Sequence, residues 1–185
     1  MRRSLLTAPT LACTAVILCG CTGTSLEPSG SSTALESPAA QPVDAVPIAE
    51  VAHPGAKTDA DTCPYLSNDF VEKTNGQKVT GVHVDQRFIT PGCVFWSFGD
   101  EWQVRVTVRH VGSADEARRF VDKQAPVDST DPAELPGGWQ GGRGGKLPTV
   151  FAVSKGTVAV AVSTDQAQSV KAELIAQAVI KNLKL

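Results

Sequence analysis

A cysteine that could carry a lipid lies at the end of an apolar run near the start of the chain. The sequence LCGC over residues 18–21 has an aliphatic residue three places before Cys21 and a small residue directly before it, as in a bacterial lipobox. An arginine pair precedes the apolar residues 11–18, which are too few for the roughly 20 that span a bilayer. We therefore predict that residues 1–20 are a signal peptide and that cleavage leaves Cys21, thioether-linked to diacylglycerol, as the membrane anchor. An ordinary cleaved secretory signal is the alternative.

Two further cysteines, Cys63 and Cys93, could form a disulfide. The chain has five cysteines, of which two leave with the predicted signal peptide and Cys21 carries the lipid. An exported protein folds in an oxidising compartment, which favours one disulfide that closes a loop of about 30 residues and contributes roughly 3.5 kcal/mol. A pair of buried free thiols is the alternative. Neither a metal site nor a cofactor is predicted, because no Cys-x-x-Cys spacing occurs and the three histidines are scattered.

Histidines are the other residues whose positions could support catalysis. His83 precedes Asp85 by two residues in a predicted strand, and a histidine that a carboxylate orients can act as a base. No nucleophile lies beside this pair, and His110 falls on the valine-rich face of another strand. The motifs of serine hydrolases, zinc peptidases and P-loop enzymes are absent from the sequence. We predict that the protein is not an enzyme; an envelope enzyme or enzyme accessory with an unrecognised site near His83 or His110 is the alternative.

A glycine-rich segment, residues 126–148, is the best candidate for a binding site. It shows no periodic pattern over more than 20 residues, and loops of that length are usually functional or disordered. Trp139 and Arg143 lie among six glycines, which include Gly138 and Gly141, and glycine lets a backbone approach a partner closely. Trp139 is either an interface anchor or a lid that packs on the sheet. These four residues are the candidate contacts for a ligand or a partner.

The elements that must position these residues begin after a long polar segment. Residues 21–61 are rich in Ser, Pro and Ala and contain no aromatic residue, so we predict that a disordered tether follows the lipid anchor. Residues 62–185 have the size and composition of one globular domain. Their hydrophobic patterns predict the order α-β-β-β-α-loop-β-β-α, with Ser113 and Glu116 as a capping box for the second helix.

The pattern WQVRVTVRHV, which begins at Trp102, alternates apolar and polar residues and predicts a half-buried antiparallel strand. Arg105 and Arg109 fall on its polar side, where we expect them to face solvent; an anion site there is the alternative. A sheet with one polar face takes its helices on the other face. We therefore predict an α+β two-layer sandwich of about five antiparallel strands, with the helices on one face.

The charge balance argues against nucleic acid as a partner. The chain has 17 basic and 19 acidic residues, and two of the basic residues lie in the predicted signal peptide. The overall charge of a mildly acidic mature protein does not attract it to phosphate backbones or to anionic lipid. We therefore expect the membrane to be contacted through the lipid on Cys21.

Six short motifs together resemble an uncharacterised actinobacterial lipoprotein domain of the mycobacterial and corynebacterial type. They are CPYL, NGQKVTGV, PGCVFWS, GGWQGG, AVSKG and TDQAQSVKAELIA, and the resemblance covers residues 62–185, including both Cys63 and Cys93. The resemblance implies a location in the cell envelope and a fold, but it implies no reaction. The layout is also similar to small α+β domains of other actinobacterial envelope lipoproteins, which act mostly as binding or accessory modules.

These observations predict a lipid-anchored protein on the extracytoplasmic face of the cell membrane. We expect its folded domain to be a non-catalytic binding or accessory module, and its partner to be an envelope protein or a small-molecule ligand.

Overall fold

One sheet of seven antiparallel strands organises residues 41–185, the part of the chain that the computed structural model describes. The helices are α1 (Asn68–Asn75), α2 (Ala114–Gln124) and α3 (Ser169–Leu183), and the strands are β1 (Gly81–Asp85), β2 (Gly92–Trp96), β3 (Trp102–His110), β4 (Asp131–Leu135), β5 (Trp139–Gly144), β6 (Thr149–Lys155) and β7 (Val158–Thr164). The strands lie in the order β1-β2-β3-β7-β6-β5-β4. None of the helices in this part of the chain is long and apolar enough to cross a membrane. The predicted signal peptide and the lipidation site at Cys21 lie outside the described residues.

The α+β class is confirmed, whereas the prediction of helices on one face is wrong. α1 and α3 pack on one face, where Ile175 and Val179 of α3 share a core with the valines of β3 and β7. α2 packs on the opposite face, where Phe120 shares a second core with Ala152 of β6 and Ala161 of β7. The sheet is therefore the middle one of three layers. Its central strands β6 and β7 are apolar on both sides, as is typical of strands that are covered on both faces.

The predicted loop at residues 126–148 contains a β-hairpin, which raises the strand count from about five to seven. β4 pairs with β5, and Leu135 lies opposite Trp139 next to the turn. Gly137 and Gly138 form that turn with φ angles of 90° and 86°, which glycine adopts readily. The hydrophobic pattern does not indicate this hairpin because β5 reads WQGGRG, and glycines weaken a strand and hide its alternation.

A segment that precedes the first helix covers much of the face on which α2 lies. This segment is the strap, residues 42–58. The backbone N–H of Ala52 donates to Oγ1 of Thr107 in β3 at 2.8 Å, and Thr58 forms a bridge with Val82 in the edge strand β1. The prediction of a disordered tether as far as residue 61 is therefore wrong for the strap, which is part of the folded domain.

Arg109 holds the strap from the centre of the sheet. Its Nε lies 3.1 Å from Oδ2 of Asp44, and the two side chains are 1% and 0% exposed. Its guanidinium also donates to four carbonyl oxygens of the strap, those of Val46, Pro47, Ile48 and Glu50. The rings of Phe88 and Phe120 have their centres 5.4 and 5.5 Å from its Cζ. The prediction that Arg109 faces solvent is wrong, because the strap supplies the hydrogen bonds that water would otherwise supply.

The disulfide between Cys63 and Cys93 is confirmed, with 5.8 Å between the two Cα atoms. Cys93 lies in β2 and Cys63 shortly before α1, so the bond fixes the entry to this helix against the sheet. The predicted capping box of α2 is confirmed in its first half, since Oγ of Ser113 accepts the backbone N–H of Glu116 at 3.2 Å. The carboxylate of Glu116 accepts the N–H of Gly112 at 2.8 Å instead of that of Ser113. The cap fixes where α2 begins, and α2 forms one wall of the candidate site.

Candidate functional site

A cleft of about 320 Å³ lies between α2 and the strands β4, β5 and β6, and we call it the α2 cleft. Small-molecule sites occupy roughly 300–1,000 Å³, so this volume suits a small ligand. Its lining combines apolar side chains, hydroxyl and amide groups, and charges of both signs. The lining residues are Ala114, Arg118, Val121, Asp122, Ala125, Val127, Thr130, Asp131, Pro132, Gly138, Gln140, Gly141, Gly142, Ser154, Lys155 and Gly156. A wider hollow of about 550 Å³ beside Cys63 is more open and carries no charged side chain.

Two consecutive glycines let α2 lie close to β5. A Cβ atom at Gly141 would overlap the carbonyl oxygen of Ala152 and lie 2.9 Å from Cγ1 of Val121 in α2. A Cβ atom at Gly142 would lie 3.0 Å from Cβ of Ala125 at the end of α2. Any larger residue would push the helix away from the hairpin. The floor of the α2 cleft is therefore flat because the sequence places glycines there.

Arg118 lines the end of the α2 cleft near the start of α2. Arg118 lies in the first half of α2, and its Nη2 lies 2.6 Å from Oδ1 of Asp115. Both partners are largely exposed, and exposed pairs of this kind contribute little, so the guanidinium can turn to a ligand. Lys155 in β6 also lines this end, but its ammonium group lies at the ring of Trp139 on the other face of the sheet.

The end near the last turn of α2 is acidic. Asp122 lies on α2 four residues after Arg118 and also lines the cleft. Thr130 lies at this end because it donates its hydroxyl to the carbonyl oxygen of Pro126, just after α2, at 2.8 Å. Along α2, Arg118 and Asp122 thus line the cleft about one helical turn apart.

Two of the four candidate contacts that the sequence indicates line the α2 cleft. Gly138 and Gly141 belong to its floor. Arg143 is not part of its lining, and its Nη1 lies 3.0 Å from Oε2 of Glu173 in α3. This ion pair ties the β4–β5 hairpin to the helix on the other face of the sheet.

Trp139, the fourth candidate, is a core side chain. It is 2% exposed and belongs to the cluster that α3 forms with the sheet. Nζ of Lys155 lies 5.2 Å from the centre of its ring. This placement corresponds to the lid interpretation of Trp139 and puts the ring on the face of the sheet opposite α2.

His83 and Asp85 do not form the pair that their spacing suggested. The carboxylate of Asp85 accepts the backbone N–H of His53 at 2.8 Å and Nη2 of Arg87 at 2.7 Å. Burial alone would raise the pKa of Asp85, but the hydrogen bonds from Arg87 and His53 lower this pKa to about 2. The ring of His83 packs against Gly55 of the strap, where a Cβ atom would overlap it. His83 is therefore a packing residue beneath the strap.

His110 also has local contacts, far from His83 in the strand register. Its Nε2 lies 2.9 Å from Oγ1 of Thr90, and its backbone N–H donates to Oδ2 of Asp44 in the strap at 2.8 Å. Arg105 lies with its Cζ 4.8 Å from the ring centre of Trp102, and burial lowers the pKa of its guanidinium. Arg105 is therefore not the solvated side chain that was predicted. Within residues 41–185, no three His, Cys, Asp or Glu side chains converge as metal ligands.

The polar residues that α2 contributes to the cleft are not indicated by any sequence motif. Arg118 and Asp122 were not singled out, because a polar stripe on a helix is usually a solvated face. A second stripe at helical spacing, from Ala114 through Arg118 and Asp122 to Ala125, was the available signal. Small residues at both of its ends leave room for a ligand between charged side chains.

Comparison with solved structures finds the crystal structure of the extracellular domain of PknH from Mycobacterium tuberculosis. The match covers 65% of this chain and 93% of that chain, at 16% sequence identity and a TM-score of 0.35. Nothing about function follows from so distant a likeness. No curated protein matches the chain.

The resemblance to an uncharacterised domain is confirmed at the level of a family of unknown function. The family matches from residue 41, so it includes the strap as well as the predicted domain. With residues 41–185 matched, the chain belongs to the family described as domain of unknown function, DUF2020.

Proposed function

We propose that this protein is a lipid-anchored domain on the extracytoplasmic face of the cell membrane, where it binds a small molecule in the α2 cleft without catalysing a reaction. The observation that carries the binding part is the α2 cleft itself. It has the volume of a small-ligand site, a glycine floor and a wall formed by α2 with Arg118 and Asp122. The Cys63–Cys93 disulfide supports the location, because such bonds persist in oxidising compartments.

The histidines give less support to a catalytic function. His83 lies beneath the strap, and Asp85 is engaged by Arg87 and by the backbone of His53. His110 is paired with Thr90. A base needs a substrate within hydrogen-bond reach, and neither histidine lines the α2 cleft. Binding is therefore the function that the geometry supports best.

The anchoring part predicts that Cys21→Ser removes the protein from the membrane. Two or three acyl chains hold a protein firmly on a membrane, whereas a single chain gives only marginal membrane binding. A protein without an acyl chain has no lipid anchor. We expect the variant to leave the detergent phase of a two-phase partition and to accumulate as unprocessed or released protein. Cys19→Ser is the matched control, since it changes a cysteine that the signal peptide carries away. Equal detergent partitioning of Cys21→Ser and the unchanged protein would contradict the lipobox.

The binding part predicts that a small ligand of this protein acts through the α2 cleft. Gln140 and Ser154 face each other across the β5–β6 pairing and both line the cleft. A bulky side chain at Ser154 should therefore occupy the ligand volume, whereas alanine at the same position should leave it open.

A further inference from the structure

We infer that one end of the domain docks on the lipid bilayer that holds the anchor, through apolar side chains on three separate loops. We call it the tip end: here β2 turns into β3, α2 leads into β4 and β5 leads into β6. The apolar tips are Phe98, Val127 and Leu147, one in each of these loops in that order. The inference rests on the proposed lipid anchor and adds the orientation of the domain on the membrane.

The strand register places the three loops at the same end of the sheet. Trp96 pairs with Trp102 beside the β2–β3 turn. Val104 of β3 pairs with Thr164 of β7, which in turn pairs with Thr149, the first residue of β6. The β5–β6 loop therefore lies at the same end as the β2–β3 turn. The segment between α2 and β4 joins them there, because β4 begins opposite the last residues of β5.

The apolar tips are the most exposed of the large apolar side chains in residues 41–185. Val127, Phe98 and Leu147 are 81%, 79% and 62% exposed. The other exposed members of this class are 45% to 51% exposed, and they are Val43, Ile89, Val170 and Leu174. Single apolar side chains on a surface are common, whereas a group of them at one end of a domain marks a contact with a protein or a membrane.

The residues behind Phe98 suit the boundary between lipid and water. Trp102, the first residue of β3, is partly exposed, and tryptophan is enriched at the headgroup level of membranes. Cζ of Arg105 lies 4.8 Å from the ring centre of Trp102. Burial lowers the pKa of this guanidinium, and no carboxylate of residues 41–185 raises it. A lipid phosphate would give Arg105 the anionic partner that it lacks in this part of the chain.

Charges of both signs surround the apolar tips. Asp100 and Asp128 lie in the same loops as the first two tips, and Lys146 directly precedes the third. Nζ of Lys57 donates to the carbonyl oxygen of Ser97 in the β2–β3 turn at 2.6 Å. This mixture suits zwitterionic headgroups, which carry a phosphate and an ammonium group. The contact is therefore apolar in origin, and it does not conflict with the mild acidity of the protein.

The chain between the lipid and the domain is long enough for this orientation. The strap begins at the opposite end of the sheet, where the N–H of Asp44 donates to the carbonyl oxygen of His110 at 2.8 Å. The 9 residues of β3 span roughly 30 Å. Residues 22–41 reach at most roughly 70 Å when fully extended. The tip end can therefore lie on the membrane that holds the anchor, and the anchor makes even a weak second contact effective.

Paramagnetic relaxation in nanodiscs tests the inference. The full-length lipidated protein, labelled with ¹⁵N-glycine, is inserted into phosphatidylcholine nanodiscs that contain nitroxide-labelled headgroups. We expect the amide signals of Gly99 and Gly145, at the tip end, to lose intensity. Those of Gly138 and Gly156, at the opposite end, should keep their intensity. Added salt should not change this pattern, because an apolar contact is not screened.

A pair of double variants shows whether the apolar tips make the contact. Phe98→Ser with Leu147→Ser should abolish the loss of intensity at the tip end. Val43→Ser with Ile89→Ser is the matched control, since it removes two exposed apolar side chains at the opposite end and should leave the loss unchanged. Substitutions of exposed residues change stability little, so both variants should fold. Val127 is kept, because it also lines the α2 cleft.

The failure of the inference differs from the failure of the proposed anchor. Equal loss of intensity at both ends, loss confined to the opposite end, or equal loss in the tip variant and the unchanged protein would overturn the docking and leave the anchor in place. A dimer in sedimentation that the tip variant abolishes, without any loss of intensity in nanodiscs, would make a second copy the partner and also overturn the docking. Protein that does not enter nanodiscs at all would overturn the anchor and the docking together.

Discussion

Replacement of Arg109 by methionine is expected to lower the free energy of unfolding by about 3–5 kcal/mol, because it leaves the buried carboxylate of Asp44 without its partner. The side chains of Arg109 and Asp44 are 1% and 0% exposed, so water cannot take over the role of the guanidinium. Four carbonyl oxygens of the strap lose their donor at the same time. For a domain of this size the loss corresponds to a fall in Tm on the order of 10 °C.

Urea unfolding of three variants separates this effect from a general loss of charge. Arg119→Met removes an exposed arginine and should change stability by less than about 0.5 kcal/mol. The double variant Asp44→Leu with Arg109→Met removes both buried charges and should recover part of the loss, as apolar replacements of buried ion pairs do. Limited proteolysis should cut the strap sooner in the single Arg109 variant. A loss no larger than that of Arg119→Met would show that the strap is not held as the structure indicates.

Replacement of Trp139 by alanine is expected to lower the free energy of unfolding by about 3–5 kcal/mol, because it leaves a cavity where a large ring was buried. The ring is 2% exposed and lies in the core that α3 forms with the sheet. Lys155 also loses the aromatic face above which its Nζ lies. Urea unfolding at neutral pH gives the measurement, and Trp139→Phe, which keeps an aromatic ring, should lose clearly less.

Trp139→Ala should not change which ligand binds, because the ring lies on the face of the sheet opposite α2. The affinity of the α2 cleft is measured in buffer without denaturant, where the variant remains folded. Trp139 would be an interface anchor instead if two results were found together. The free energy of unfolding would change by less than about 1 kcal/mol, well below the range for a buried aromatic residue, and the variant would lose a binding partner.

The disulfide and the cap of α2 could be predicted because each depends on residues whose chemistry shows in the sequence. Two cysteines left over in an exported chain have one pairing available, and Ser113 with Glu116 satisfies a helix start locally. The alternation of valine and alanine along β7 is a weaker sign that both faces of the sheet are buried. Alanine is small enough for a helix to pack on it, so α2 could cover this second face.

The strap could not be predicted from its composition, because its order depends on a partner elsewhere in the chain. Asp44 is ordered by Arg109, which lies 65 residues later. A local pattern of Pro, Ala and Val carries no sign of that pairing. The same distance explains why Arg109 was expected to face solvent: an arginine in an alternating strand is usually exposed, and only the folded structure brings a carboxylate and four carbonyl oxygens to it.

The sequence indicates the glycine-rich segment that contributes to the α2 cleft. It does not indicate that this segment forms two strands. Gly138 and Gly141 line the cleft, yet they do so as part of a hairpin and not as a flexible loop. Arg118 and Asp122 lie beside the hairpin because Gly141 and Gly142 let α2 lie close to β5. Such a site depends on packing between elements that are separate in sequence, and a motif search does not find it.

Glycine-selective ¹⁵N labelling gives the most direct test that the α2 cleft is the binding site. Gly138, Gly141, Gly142 and Gly156 line the cleft, whereas Gly55, Gly76, Gly81 and Gly99 lie elsewhere in the domain. When alanyl-alanine, maltose, hexanoate and inorganic phosphate are each added to the full-length protein in detergent, we expect at least one of them to shift the amide signals of the first four glycines with concentration. The signals of the second four should remain in place. Ser154→Phe should abolish the shifts and Ser154→Ala should preserve them. Shifts confined to the second group, or no shift with any probe, would contradict a binding function for the α2 cleft.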